Sequence, residues 1–318
     1  MSMLLEGKTA IVTGAGRGLG RAHALALAAH GARVVVNDLG TDVEGNGTGQ
    51  VAEEVVETIT SAGGEAVANL GSCADFDAAG DLIAQAVDTF GSLDILVNNA
   101  GNVRDRTIFN MTEEEWDSVI NVHLKGHFAP THHACAYWRQ EAKAGRARAG
   151  RIVCTTSQSG LFGNPGQANY AAAKAGIAAF TQVVAMEMAR YGVTANAVAP
   201  AARTRMSEDL IGPAPEGFDP MAPENVSPLV VWLASDDAHW VTGQVFHMMG
   251  GQCDRLEGWH IVATRTRSGR LWEAEELADT VRALYGTFPG GIAGALGAEE
   301  AVAATGIGQA RLQRTAST

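Results

Sequence analysis

Basic charge, long apolar runs and cysteine are all scarce in this 318-residue chain. Lysine and arginine total 23 against 35 acidic residues, a net charge of −12. A general nucleic-acid binder is therefore not expected, since phosphate contacts need a basic surface. Any anionic ligand must meet a local cluster of arginines instead. No run of 18 apolar residues occurs, so no membrane-spanning helix is expected either. The opening MSMLLEGKTAIV also lacks the basic region, apolar stretch and cleavage site of a secretory leader. Four cysteines, Cys73, Cys135, Cys154 and Cys253, lie far apart with no CxxC spacing. This argues against a disulfide framework or zinc knuckle and suits a reducing, cytoplasmic compartment.

Apolar residues, in contrast, make up 46% of the chain, enough to bury a large core. Strand-like runs at 9–14, 33–38, 65–70, 94–99, 151–156, 193–198 and 244–249 alternate with helix-like stretches. In the latter, at 19–30, 51–62, 76–90 and 168–190, apolar residues recur every three or four positions. The pattern predicts βαβ units and a sheet covered on both faces. The expected fold is a doubly wound α/β (Rossmann) domain over residues 1–255, with a seven-stranded parallel sheet. Residues 256–318 read as a C-terminal extension too short to bury its own core, with an amphipathic, arginine-bearing stretch at 259–286. Five prolines between 200 and 225 mark an irregular segment, expected to act as a lid over a ligand crevice.

The first strand runs into Thr13-Gly14-Ala15-Gly16-Arg17-Gly18-Leu19-Gly20 and then a helix-like stretch. Glycines there permit a tight turn and close backbone approach, and the N–H groups at the helix start attract a pyrophosphate. Eighteen residues past Gly20, the second strand ends at Asp38. A carboxylate in that place accepts hydrogen bonds from the adenosine ribose and repels a 2′-phosphate, which favours NAD over NADP. Arg17 counts the other way if it reaches a 2′-phosphate, but it can equally pair with Asp38 or remain a solvated side chain.

Tyr170 precedes Lys174 by four residues, which places both on one face of a helix. With four tyrosines and four lysines in the chain, the pairing is expected by chance only about 0.05 times. A tyrosine base near neutrality must lose about three pKa units, roughly 4 kcal/mol. An ammonium about 4 Å away supplies a similar amount at an effective dielectric near 20.

Taken together, TGAGRGLG (13–20), Asn98-Asn99-Ala100-Gly101, Asn121, Ser157, Tyr170 and Lys174 resemble the short-chain dehydrogenase/reductase family over about residues 5–250. The resemblance implies Tyr170 as acid/base and Lys174 as the cation that lowers its pKa and holds the nicotinamide ribose. It further implies Ser157 as the group orienting the substrate oxygen and Asn121 as the holder of a relay water. Gly14, Arg17, Gly18, Leu19, Gly20 and Asp38 would meet the cofactor at one end, with Asn99, Ala100 and Gly101 near its ribose and Pro200 and Thr204 near its carboxamide. The family's acidic residue beside the adenine is replaced here by Gly71-Ser72, so recognition there falls to the backbone.

Within the family, the nearer likeness is to the dehydrogenase portion of peroxisomal multifunctional enzyme type 2. It is carried by VVVNDLG (34–40), the insertion DVEGNGTG (42–49), RDR (104–106), VHLKG (122–126), GNPGQANYAAAK (163–174) and SPLVVWLA (227–234). That likeness implies NAD-linked oxidation of a (3R)-hydroxyacyl-CoA, with a sterol-derived acyl group as one form, by a homo-oligomer (dimer or tetramer). A free hydroxysteroid, an acyl-carrier-protein thioester and a non-catalytic dinucleotide-binding role remain as alternatives. The ending Thr-Ala-Ser-Thr carries no peroxisomal address.

Three further patterns carry expectations. His123 and His127 have i, i+4 spacing but no identifiable third ligand, so no metal site is expected. The stripe Phe180, Val184, Met188 reads as a subunit contact, by likeness to the family. Phosphates of a CoA ester would need Arg104 and Arg106, Arg203 and Arg205, or the tail cluster Arg265, Arg267 and Arg270.

Overall fold

The computed structural model describes residues 3–40, 50–204, 212–261, 263–269 and 271–285. The insertion at 42–49, Arg205 and Arg270 lie outside the described residues. The chain divides into two compact units, Met1–Leu256 and Glu257–Thr318.

In the first unit, seven parallel strands form one sheet: β1 (Thr9–Thr13), β2 (Arg33–Asn37), β3 (Ala66–Asn69), β4 (Ile95–Asn98), β5 (Arg151–Thr155), β6 (Thr194–Pro200) and β7 (Val245–Met249). An eighth, β8 (Gln252–Leu256), turns back antiparallel to β7. Its residues Gln252, Asp254 and Arg255 leave no apolar run, which is why the sequence gives no sign of it. The spatial order is β3-β2-β1-β4-β5-β6-β7-β8.

Side chains alternate across this sheet, and both faces are apolar. Ala10, Val12, Val34 and Val36 face one core with Leu27, Val55, Ile59, Val230 and Leu233. Ile11 and Val35 face the other with Leu82, Ile83, Trp138, Ile177 and Val184. The first core is covered by α1 (Gly18–Ala29), α2 (Gln50–Ser61) and α8 (Ser227–Ala234). The second lies beneath α3 (Phe76–Phe90), α5 (Gly126–Lys143) and α7 (Ala168–Met188). Each fully buried Leu, Ile or Val contributes about 1.5–3 kcal/mol. Trp138 satisfies its indole N–H on the Leu93 carbonyl at 2.8 Å, so its burial leaves no donor unpaired.

Strand order reverses between β1, which pairs with β2, and β4 on its other side. The carboxyl ends of these strands therefore open a crevice, the usual place for a ligand in such sheets. Next to it, α4 (Glu113–Ile120) passes into α5 through a π turn, Asn121–Lys125, in which the Gly126 N–H bonds the Asn121 carbonyl five residues back. Such turns rotate the side chains that follow and often mark functional sites. A five-residue helix, α6 (Gln158–Phe162), lies between β5 and α7.

In the second unit, α9 (Ala274–Tyr285) is the only helix among the described residues. Arg267 bonds Glu276 at 2.6 Å and lies over the Trp272 ring, and Arg265 bonds the Ala283 carbonyl.

Candidate active site

The glycine-rich turn after β1 is held by its neighbours' backbone. Gly14 and Gly18 have φ of +63° and +51°, a left-handed conformation that favours glycine. A Cβ at Gly20 would stand 2.1 Å from the Gly14 carbonyl, and one at Gly14 would stand 2.7 Å from Ala100 Cα. Arg17, in extended conformation, precedes α1 and offers no side-chain cap, so the helix-start N–H groups have no acceptor from it. A glycine cradle of this shape at a helix start fits a dinucleotide pyrophosphate. Asn99 fastens the cradle to β4. Its side chain donates to the Thr13 and Gly14 carbonyls, and its N–H and that of Ala100 donate to the Thr13 hydroxyl. The Asn99 side chain is therefore a clamp, and only the adjoining backbone is placed to line a ribose.

Asp38 accepts from Gly16 N–H at 2.8 Å and from Gly40 N–H at 2.7 Å. One lone pair on each oxygen is thereby used, and the carboxylate is oriented toward the turn. Nearby, Asn37 donates to the Gly71 carbonyl and to Asn69, while the Ser72 hydroxyl accepts from Ala74 N–H. This asparagine network fixes the turn after β3 and had no signal in the sequence. Thr204 lies over the glycine turn, its Cγ2 3.5 Å from where a Gly18 Cβ would stand. Pro200 ends β6, paired with Met248.

Tyr170 and Lys174 lie one turn apart on α7, Lys174 buried and Tyr170 partly so. Lys174 Nζ donates to the Thr155 carbonyl at 2.6 Å and lies 5.6 Å from the Tyr170 ring centre. The Ser157 hydroxyl accepts from Ser159 N–H at the start of α6 and lies near enough to the Tyr170 hydroxyl to act on its proton. Burial pushes the Tyr170 hydroxyl above its usual range, the nearby Ser157 hydroxyl pulls it down, and the Asp105 charge pushes it up again. Burial also drives the Lys174 ammonium down to about 7. The enclosure that brings the pair together disfavours the charged form of both.

The structure corrects the placement of Asn121. This residue is exposed and opens onto a surface hollow with Glu113, Asp117 and Lys125. No hydrogen bond joins its side chain to Ser157, Tyr170 or Lys174. The π turn faces it outward and brings His123 inward, edge-on to Tyr170 with ring centres 5.1 Å apart. His127, one turn further, is also buried, and its Nε2 accepts from Thr155 N–H. The i, i+4 spacing of these histidines in the sequence points to nothing but a metal pair. Among the described residues no cluster of three metal-ligating side chains occurs.

The loop after β4 is tied to the start of α7. Gln167 donates to both Asp105 oxygens, Asn169 to the Arg104 carbonyl, and Arg106 N–H to the Gly166 carbonyl. Of the arginines expected to meet a polyanion, Arg203 is engaged by Asp219 and the Gly212 carbonyl, and Arg267 by Glu276. Arg106 is 59% exposed, with a rim contact to Glu115 and a bond to the neighbouring Asp105 carbonyl. The stripe expected at a subunit contact is also corrected. Val184 and Met188 are buried in this chain's own core with Phe180 against it, and the exposed apolar residues of α7 are Val183 and Met186.

Comparison with known proteins agrees with this geometry. Residues 8–211 match the model of the short chain dehydrogenase family. The chain belongs to that family. It is thus an oxidoreductase of CH–OH groups that uses a nicotinamide dinucleotide. A solved short chain dehydrogenase from Mycobacterium avium superposes with a TM-score of 0.82 at 55% identity, covering 90% of this chain and 97% of that one. Hydroxyacyl-CoA dehydrogenase ChsB1 of Mycobacterium tuberculosis is 48% identical over 87% of this chain and 88% of its own length. The 3-oxoacyl-[acyl-carrier-protein] reductase of Synechocystis is 42% identical over 78% of this chain and 97% of its own. Mouse peroxisomal multifunctional enzyme type 2 is also 42% identical, over 79% of this dehydrogenase, which matches only 33% of the mouse protein's length. Among the described residues, no helix is long and apolar enough to cross a membrane.

Proposed function

We propose that this dehydrogenase transfers a hydride between NAD(H) and the 3-hydroxy or 3-keto group of an acyl-CoA, in the (3R) series, with sterol-derived acyl chains within its range. The observation that carries the chemistry is Lys174 one helical turn from Tyr170, its Nζ 5.6 Å from the tyrosine ring centre, with the Ser157 hydroxyl near enough to act on the Tyr170 hydroxyl, beside a glycine cradle. Ser157 orients the substrate oxygen, and Tyr170 takes the hydroxyl proton in oxidation and returns it in reduction. Lys174 holds the cofactor ribose and, when protonated, favours the phenolate. The bound nicotinamide supplies the hydride acceptor or donor. Gly14, Gly18, Leu19 and Gly20 hold the pyrophosphate, and Asp38 is oriented to meet ribose hydroxyls, the feature that favours NAD. Gly71, Ser72, Ala100, Gly101, Pro200 and Thr204 complete the cofactor's surroundings.

The substrate class rests on the loop after β4. Exposed Arg106 lies beside Ile108 and Phe109, which are 68% and 81% exposed. Cation and apolar surface side by side suit a ligand with an anionic head and an apolar chain. The acyl-CoA named for the mycobacterial relative has that character. Initial rates with NAD and NADP against 3-hydroxyacyl-CoAs, the matching acyl-carrier-protein thioesters and free hydroxysteroids test the reading. Higher kcat/KM for a CoA ester with NAD is expected, and Arg106→Glu raises KM several-fold for that ester while leaving the steroid's KM alone. Preference for the carrier-protein thioester or for NADP overturns the corresponding part. Assembly as a homo-oligomer belongs to the same reading, with Val183 and Met186 as the apolar residues on α7 free to meet a second copy, and light scattering checks it.

A further inference from the structure

Two buried histidines have no part in the reading just given. The π turn places His123 with 1% exposure, its ring perpendicular to Tyr170 at 89° and 5.1 Å between centres. Its Nε2 lies 2.6 Å from the Asn102 carbonyl and 3.1 Å from the Asn102 N–H. The shorter contact requires Nε2–H as donor, which leaves Nδ1 as a bare acceptor. Nδ1 is buried with no hydrogen-bond partner among the described residues. The ring also has little freedom to move. A Cβ at Gly101 would stand 2.3 Å from its Cε1 and 3.0 Å from Nδ1, so glycine at that position is what admits the imidazole. A buried acceptor without a partner is costly and calls for an explanation at the site it faces.

We propose that His123 is a positioning residue for the Tyr170–Lys174 pair: its ring edge fixes the tyrosine, and its Nδ1 offers a neutral hydrogen-bond acceptor to the ammonium side of the pair. The inference rests on the catalytic reading of Tyr170 and Lys174 above, and it gives His123 the place first assigned to Asn121. Neutrality is the useful property. Burial first, and then the charge of Lys174, hold the imidazole well below its ordinary pKa, so it accepts hydrogen bonds without adding a second cation. The charged and titratable groups around it are Tyr170 and Lys174 from α7 and His127 from α5. Cys154 of β5 stands beside Lys174, and the Asp105 charge acts on Tyr170. An acceptor lone pair on the ammonium side favours the charged form whenever the two meet, so an apolar ring in its place weakens the support of the phenolate.

Three proteins test the assignment: wild type, His123→Phe and His123→Gln, with Tyr170→Phe as reference. Phenylalanine keeps a ring against Gly101 and Tyr170 but removes both nitrogens. Glutamine keeps a carboxamide able to bond Asn102. For alcohol oxidation, His123→Phe is expected to lose tenfold or more in kcat with dinucleotide Kd within about twofold of wild type. The acidic limb of its kcat profile moves to higher pH by about half a unit or more, and His123→Gln recovers most of both. Wild-type kcat and an unmoved limb in a folded His123→Phe overturn the proposal. Should that variant fail to fold, nitrogen-15 spectra of the intact wild-type protein decide: a proton on Nδ1 of His123 overturns the assignment, and a proton on Nε2 with Nδ1 bare upholds it. If Tyr170→Phe keeps its activity, the functional reading fails. If Tyr170→Phe is inactive while His123→Phe is unimpaired, only this inference fails.

Discussion

At the β1 end of the crevice the ligand site is made of backbone, and at the β5–α7 end it is made of ionisable side chains removed from water. The first depends on absent atoms: Gly14 and Gly20 stand where any Cβ would strike the Ala100 or Gly14 backbone. The second depends on displaced proton equilibria, with Tyr170 pushed up and Lys174 pushed down to about 7 by the same burial. Steric sites fail when volume is added, whereas electrostatic sites fail when a polar atom is removed. The two ends should therefore respond differently to substitution and to pH.

The largest separation is expected from Tyr170→Phe. Its ring still packs against His123, but no proton can be transferred, so turnover should fall 100-fold or more while NADH fluorescence titration stays near wild type. More than about a tenth of wild-type activity would remove Tyr170 from the acid/base role. Gly20→Ala should do the opposite kind of damage. A methyl 2.1 Å from the Gly14 carbonyl forces the cradle open, so dinucleotide binding should weaken at least tenfold together with a lower Tm. Unchanged binding by calorimetry would show that the turn is not the pyrophosphate site.

Acid should act on the protein through histidines outside both ends as well as within them. His23 is buried against Ser227 Oγ at 2.9 Å, and burial lowers its pKa to about 4. The folded state then binds fewer protons than the unfolded state between about pH 6.5 and 4. Stability from this group is fully present above pH 6.5 and is lost as pH falls through 4, by about 3 kcal/mol. Urea denaturation of wild type and His23→Gln at pH 7 and 4.5 checks it, and equal pH slopes for the two would refute it. The smallest effect is expected at Asp38. Asp38→Ala removes the acceptor for Gly16 N–H and the repulsion of a 2′-phosphate, so kcat/KM should shift several-fold from NAD toward NADP. A wild type that already prefers NADP would show that Arg17 governs the choice.

The same contrast explains what the sequence could reveal. Each of the seven parallel strands lies within a residue or two of its expected span, because continuous Val, Ile and Ala runs bounded by glycine have few other uses in a two-faced sheet. The glycine cradle was equally legible, since the absence of a side chain shows directly in the sequence. Tyr170 and Lys174 share one face of α7 as their spacing suggested, whereas Ser157 was legible only through the family resemblance. The π turn did not show, because Asn121–Lys125 differs from an α-helix by one hydrogen-bond step that no residue type encodes. Nor could spacing reveal that enclosure lowers Lys174, because desolvation depends on tertiary contacts.

The antiparallel β8 has a consequence for what happens when the protein is stressed. An unpaired edge strand is a template for another chain. Here one edge is β3, with only four residues, and the other is β8, which carries Gln252, Asp254 and Arg255 in place of apolar runs. Asp254 is further held by His247 and Gln252. The sticky Val- and Ile-rich strands β1, β2, β4 and β5 all lie inside these two guards. Aggregation then has to await opening of the sheet's centre, so its rate on warming should follow global unfolding rather than local fraying.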